Sequence, residues 1–208
     1  MNKKVLITGG AGYIGTVLTK QLLEKGYEVT VYDRLMYDGA PLVPFFSNSN
    51  FKFIKGDILD KERLSDAIKG VDVVVHLAAI VGYFACDRNK VLSENINVDG
   101  TQNVIDVMSD KQYLLFGSTG SNYGKVEGVC TEETPMNPST LYGVTKTDAE
   151  ALVMSVPNST AFRFATAFGI SPRLRMDLLI NDLVYKAVTD GCLVIYQSPA
   201  MRTFIHVE

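Results

Sequence analysis

The run Thr8-Gly9-Gly10-Ala11-Gly12-Tyr13-Ile14-Gly15 stands between a β-branched stretch, Lys4–Thr8, and an amphipathic stretch, Gly12–Lys25. Glycine at a strand-to-helix turn permits a tight reversal, a close approach of backbone N–H groups to a ligand, and close helix–sheet packing. The helix start adds unpaired N–H groups and partial positive charge, which suit a pyrophosphate. Turns are glycine-rich anyway, so the run gains its meaning from context. That context is a second strand, Glu28–Tyr32, closed by Asp33 at 18 residues beyond Gly15.

Asp33 can accept hydrogen bonds from both hydroxyls of a ribose, and its charge repels a 2′-phosphate. The pattern therefore predicts NAD rather than NADP, with Gly9, Gly12, Tyr13, Ile14, Gly15 and Asp33 against the cofactor. Arg34 pulls the other way, because a guanidinium can cradle a 2′-phosphate. Asp57-Ile58, at the end of a third strand, either meets the adenine ring or makes a turn.

The same alternation continues along the chain. Strands are expected at Lys4–Thr8, Glu28–Tyr32, Phe51–Lys55, Val71–His76, Tyr113–Phe116 and Thr160–Phe164. Helices are expected at Gly12–Lys25, Asp60–Lys69 (with an aspartate N-cap), Asn95–Met108 and Leu141–Val156. Runs such as Val73-Val74-Val75 and Leu114-Leu115-Phe116 are apolar throughout, as strands covered on both faces are. The order implies an α/β fold, a Rossmann-type doubly wound parallel sheet. Beyond Phe168 the pattern changes: a helix is expected over Arg173–Val188 and short strands over Leu193–Tyr196 and Thr203–Val207. Residues 1–168 are thus read as an NAD-binding domain and 169–208 as the start of a small, truncated substrate lobe.

Composition narrows the function classes. Of 208 residues, 20 are Lys or Arg and 23 Asp or Glu, without a basic block, so a nucleic-acid surface is not expected. The longest apolar stretch, Val71–Cys86, is broken by Asp72, His76 and Gly82, so no membrane span is expected, and only three apolar residues separate Met1-Asn2-Lys3-Lys4 from Thr8, so no secretory leader is expected. Three cysteines without a CxxC pair and two distant histidines fit a reduced, cytoplasmic protein with no metal site.

Tyr142 and Lys146 stand four apart at the head of the Leu141–Val156 stretch, hence on one helix face. A free phenol is a poor base near neutrality, but a neighbouring ammonium and an oxidised nicotinamide both favour the phenolate. Such a pair can take the proton of an alcohol as hydride leaves its carbon. Alone, the spacing also fits a surface pair of no consequence. Thr119 closes the fifth strand at the carboxyl edge and can hydrogen-bond a substrate hydroxyl; a plain Ser/Thr turn is the alternative.

With these features in order, the chain resembles the extended short-chain dehydrogenase/reductase family, in its NAD-dependent nucleotide-sugar epimerase/dehydratase branch. The opening turn is similar to TGGxGYIG, His76-Leu77-Ala78-Ala79 to HLAA, Asn97-Val98-Asp99-Gly100-Thr101 to NVxGT, and Tyr142–Lys146 to YxxxK. Ser118-Thr119 through Tyr123-Gly124, Arg163-Phe164, Phe168-Gly169 and Arg202–Val207 extend the likeness over essentially the whole chain. The resemblance implies Tyr142 as base, Lys146 as its tuner and the holder of the nicotinamide ribose, and Thr119 as the substrate-orienting hydroxyl. It also implies Leu77, Ala78, Ala79 and Asn97 on the cofactor side. Arg202 is implied at a substrate diphosphate, with a solvated arginine as the plain alternative. His76 reads as a packed strand-end residue.

Two departures bear on the substrate. Dehydratases of the family carry Asp-Glu after the threonine, where this chain has Gly120-Ser121, which tells against 4,6-dehydration. Thr166 stands where simple epimerases place asparagine. Family members also run on for roughly another hundred residues, so weak turnover is expected of this stretch alone. The expected activity is hydride transfer at sugar carbon 4 of a nucleotide-diphosphate sugar, giving epimerisation or net dehydrogenation. A cofactor-binding module without catalysis and a reductase of small carbonyl compounds are the alternatives. A homodimer paired through Asn95–Met108 and Leu141–Val156 is expected by analogy; Leu152, Val153 and Val156 serve either that contact or the core.

Overall fold

The computed structural model of the chain describes residues 3–195 and 201–208. A parallel sheet is formed by β1 (Lys4–Thr8), β2 (Glu28–Asp33), β3 (Phe51–Lys55), β4 (Val73–His76), β5 (Tyr113–Thr119) and β6 (Ser159–Phe164). Their spatial order is β3-β2-β1-β4-β5-β6, with Thr8 beside both Tyr32 and His76. Winding reverses between β1 and β4, which opens a crevice at the carboxyl ends of those strands.

Helices α1 (Tyr13–Glu24), α2 (Lys61–Ile68), α3 (Tyr83–Arg88), α4 (Lys90–Glu94), α5 (Gly100–Val107) and α6 (Leu141–Met154) flank the sheet, and α7 (Leu179–Thr189) follows in the remainder of the chain. Alternate strand residues feed two cores. Leu6, Val74, Leu114 and Phe116 join Leu64, Val104, Ala149 and Val153 on one face; Val5, Ile7, Val29, Val31 and Val75 join Leu23, Leu42 and Phe45 on the other. Val153, completely buried, belongs to the core and not to a subunit contact.

The Asp60 carboxylate caps α2 as the sequence implies, accepting from Arg63 N at 3.1 Å. Other expectations need correction. The Asn95–Met108 stretch is a π-type turn, Asn95–Asp99, running into α5, and the short helices α3 and α4 precede it. A proline-containing 3-10 segment, Ala40–Ser47, covers the edge beside β3 and has no strong periodic signature. The helix expected from Arg173 begins only at Leu179. Residues 173–178 are held instead by an Arg175–Asp177 ion pair and by Asn181, which donates to the Arg175 carbonyl at 2.9 Å. Residues 193–195 form no strand, since no neighbouring strand pairs with them; Tyr196 lies outside the described residues.

A second, two-stranded parallel sheet pairs β7 (Thr166–Phe168) with β8 (Phe204–His206). β7 follows β6 after one residue, so the second sheet begins three residues before the expected boundary at 168/169. No side chain of α7 is buried. No helix among the described residues is long and apolar enough to cross a membrane.

Candidate active site

The opening turn is built for close approach. Gly9 has φ +72°, and a Cβ there would sit 2.6 Å from Ala78 N, so β4's exit and the turn touch backbone to backbone. At Gly15 a Cβ would meet the Gly9 carbonyl at 2.6 Å, which lets α1 start directly beneath the turn. Gly12 is the N-cap of α1 and no side chain caps it, so the first-turn N–H groups keep their capacity for an anion. Ile14 lies in that first turn, partly buried.

Asp33 faces this turn. Its carboxylate accepts from Ala11 N at 3.0 Å and Leu35 N at 2.8 Å, and burial raises its pKa. One partner per oxygen leaves further lone pairs for ribose hydroxyls. Arg34 is turned away from that task by an ion pair with Asp57 at 3.0 Å. Asp57 also receives Leu59 N at 3.0 Å, which makes it a turn-forming aspartate, while Ile58 is buried against Gly100 in the core.

On the far side of the switch point, Thr119 ends β5 and Tyr142 lies in the first turn of α6, whose N-cap Thr140 accepts from Gly143 N at 3.1 Å. The Thr119 hydroxyl is near enough to Tyr142 to act on its ionisation. Burial raises the Tyr142 pKa above its ordinary value; the Thr119 hydroxyl and the Arg175 guanidinium act to lower it. The sequence points to Lys146 as the charge that lowers it, whereas the cation recorded as acting on the phenol is Arg175, a residue from a loop that no spacing rule singles out. Lys146 is 3% exposed, its Nζ 3.8 Å from the centre of the Phe116 ring. Burial brings its pKa down to about 7, against the opposing pull of Glu150.

Behind these residues lie two neutral braces. His76 Nε2 stands 3.0 Å from Thr101 Oγ1, whose hydroxyl donates to Asn97 O at 2.7 Å, so Nε2 carries the proton. Nδ1 then accepts from Thr8 Oγ1 at 2.6 Å, and burial pulls the imidazole down to about 3. Asn97 uses its amide on Ile80 N, Ile80 O and Thr145 Oγ1, at 2.8, 3.1 and 3.0 Å. It is 1% exposed, so it braces the loop holding Leu77, Ala78 and Ala79 from behind rather than offering its amide to a ligand.

The second sheet stands at the same edge. Phe164 is in register with Thr119, Thr166 opens β7, and Thr166 N donates to Thr203 O at 3.2 Å. Arg202, exposed and adjacent to Thr203, is thereby carried to the carboxyl edge. Tyr13 ties the glycine turn to this region: its hydroxyl donates to Gly169 O at 2.6 Å, and its carbonyl accepts from Ser171 Oγ at 2.7 Å. The turn, Asp33, Thr119 and Tyr142 thus stand at one sheet edge, Lys146 is buried behind them against Phe116, and Ile58 and the Asn97 side chain are internal.

Residues 5–208 match the model of a family described as the NAD dependent epimerase/dehydratase family. The chain is 32% identical, over 98% of its length, to the low-salt glycan biosynthesis protein Agl12 of Haloferax volcanii, of which it covers 69%. It is 35% identical, over 70% of its length, to UDP-N-acetyl-alpha-D-glucosaminuronate decarboxylase of Bacillus cytotoxicus, of which it covers 44%. A solved structure of UDP-glucuronic acid 4-epimerase from Bacillus cereus, in complex with UDP-glucuronic acid and NAD, is similar with a TM-score of 0.86 and 29% identity. That match covers 98% of this chain and 69% of the other. Against these and other curated relatives the chain spans from 36% to 69% of their length.

Proposed function

The chain belongs to the NAD dependent epimerase/dehydratase family, and from that premise we propose that it epimerises or oxidises a nucleotide-diphosphate sugar by hydride transfer at sugar carbon 4. The observation that carries the reading is the placing of Thr119, at the end of β5, beside Tyr142, in the first turn of α6, with Lys146 one turn further along that helix. NAD, when bound, supplies the hydride acceptor. The glycine turn, from Gly9 to Gly15, would hold its pyrophosphate and Asp33 its ribose, with Leu77, Ala78 and Ala79 alongside.

Tyr142 takes the proton of the carbon-4 hydroxyl and Thr119 orients that hydroxyl by hydrogen bonding. Lys146 and Arg175 place positive charge around the phenol, which favours its ionised form. Arg202 meets the diphosphate, a task suited to a planar guanidinium, and Thr166 faces the sugar. Gly120 and Ser121 carry no proton-transfer group fit for eliminating water, which favours epimerisation or dehydrogenation over dehydration. The Arg34–Asp57 pair supports NAD over NADP, since it engages the one guanidinium beside Asp33.

Residues 1–208 taken alone are proposed to turn over weakly, because no side chain of α7 is buried, and loosely held groups position a substrate poorly. A cytoplasmic homodimer paired through α5 and α6 completes the proposal; Val144 and Met154 of α6 are exposed and available for it. The raised pKa of Tyr142 favours a second reading, a cofactor-binding module whose phenol stays protonated. Incubation with NAD and a panel of sugar nucleotides, with separation of the sugar products, tests the choice. An epimer or a 4-keto product that disappears in Thr119→Ala supports the enzyme; NAD binding without any product supports the binding module.

A further inference from the structure

One buried cluster next to the site has no part in the chemistry described so far. Glu150 is 4% exposed, on α6 one turn beyond Lys146. Its Oε1 accepts from Arg163 Nε at 2.9 Å and Arg163 Nη2 at 2.7 Å, a two-pronged pair reaching across from β6. Oε2 accepts from Asn122 Nδ2 at 2.9 Å and from the Ser118 hydroxyl. Arg163 also donates to Tyr123 Oη at 3.0 Å and to the Glu132 carbonyl at 2.9 Å. Four elements therefore converge on one carboxylate: β5 through the residue before Thr119, the following 3-10 turn through Asn122, β6 through Arg163, and α6 itself.

We propose that Glu150 is a positioning residue for the Thr119–Tyr142–Lys146 group, fixing the end of β5 against α6 and standing as a negative charge behind the Lys146 ammonium. The inference rests on the role proposed above for that group. A buried ion pair is costly to assemble and is weak evidence for stability by itself. Its placement here has a different use: it sets the two hydroxyl-bearing elements at one separation and supplies the counter-charge that an interior ammonium lacks.

Among the described residues, Glu150 is the carboxylate that acts on Lys146. Burial drives its ammonium toward the neutral amine, and Glu150 opposes that. His76 from β4 faces it as a neutral imidazole, and Phe116 from β5 presents only its ring. Burial raises the pKa of Tyr142 on α6, and Cys86 from α3 acts on Tyr142 in the same direction. Arg163 from β6 is spent on Glu150, and the π-type turn and α5 contribute the neutral Asn97 and Thr101.

The test is the titration of Lys146 itself, followed by NMR of protein carrying 13C at lysine Cε and assigned with Lys146→Met. Glu150→Gln is expected to lower the Lys146 midpoint by about one pH unit. Because that variant leaves Arg163 unpaired and can fail to fold, Glu150→Gln with Arg163→Met removes both charges and leaves neither uncompensated. The double variant is expected to shift the midpoint downward as well. Ser118→Ala, which deletes one hydrogen bond and no charge, is expected to lower the melting temperature and leave the midpoint in place. A Lys146 midpoint that stays put in whichever Glu150 variant folds, or that moves equally in Ser118→Ala, overturns the proposal. The readout needs neither cofactor nor turnover, so failure of the enzymatic reading would appear separately, as absent product with a shifted midpoint.

Discussion

Acidification from about pH 7 to about pH 4 destabilises the folded chain through His76 by about 3 kcal/mol. The ring is 1% exposed and both nitrogens are committed: Nδ1 accepts from Thr8, and Nε2 donates to Thr101. Protonating Nδ1 obliges the Thr8 hydroxyl to turn and accept where it donated, and adds a cation beside buried Lys146. Folding thus holds the imidazole at about 3, against 6.5 in the unfolded chain. The unfolded state binds the extra proton between those values, so stability falls as pH drops through this window and is unaffected above it. The full gap corresponds to about 5 kcal/mol, of which about 3 is spent by pH 4. Urea unfolding across this range, with linear extrapolation, measures the loss. His76→Gln cannot titrate; it starts less stable near neutrality and loses about 3 kcal/mol less on acidification, with carboxylate contributions common to both proteins. Parallel pH profiles for the two proteins would refute the assignment of His76 as a buried neutral brace.

Three further outcomes follow from single contacts. Gly9→Ala puts a Cβ against the Ala78 backbone at a positive φ; we expect a loss of about 2–5 kcal/mol in chemical unfolding and of NAD binding by calorimetry. Tyr13→Phe removes the hydrogen bond to Gly169 O and should cost about 1 kcal/mol in urea unfolding, with faster proteolysis in residues 169–195 and unchanged proteolysis elsewhere. Arg175→Gln removes a cation that acts on Tyr142, so the phenol should ionise at higher pH, read by ultraviolet titration as a difference from Tyr142→Phe.

Much of the fold was legible because each strand is a short apolar run and each main helix carries a periodic face. Val5, Ile7 and Leu6 alternate between two covered faces, and β1 through β6 appear within a few residues of where pattern alone puts them. The glycine turn was legible for a stronger reason: sterics at Gly9 and Gly15 leave no other side chain room. What escaped detection depends on partners distant in sequence. β7 has three residues and becomes a strand only beside β8. The helices α3 and α4 are short and interrupted by the polar run Asp87-Arg88-Asn89-Lys90. Asn97 reads like a ligand contact, yet its partners are Ile80 and Thr145, brought together only by folding. Arg175 lies 33 residues beyond Tyr142, in a loop without pattern, and nothing local announces that it reaches the phenol. Ser118 and Arg163 stand in runs that carry the resemblance, whereas their convergence with Asn122 on Glu150 appears only in the folded chain.

The central claim is that Tyr142 removes the proton that accompanies hydride transfer at the edge bearing Thr119 and Lys146. It is tested most directly by a single-turnover experiment: protein loaded with NAD is mixed with excess sugar nucleotide while the absorbance of the reduced cofactor is followed. Appearance of reduced cofactor in the wild-type chain, and its loss in Tyr142→Phe with NAD still bound, is the predicted result. Equal reduction in both proteins would contradict the account, as would none in either despite bound NAD and bound sugar nucleotide.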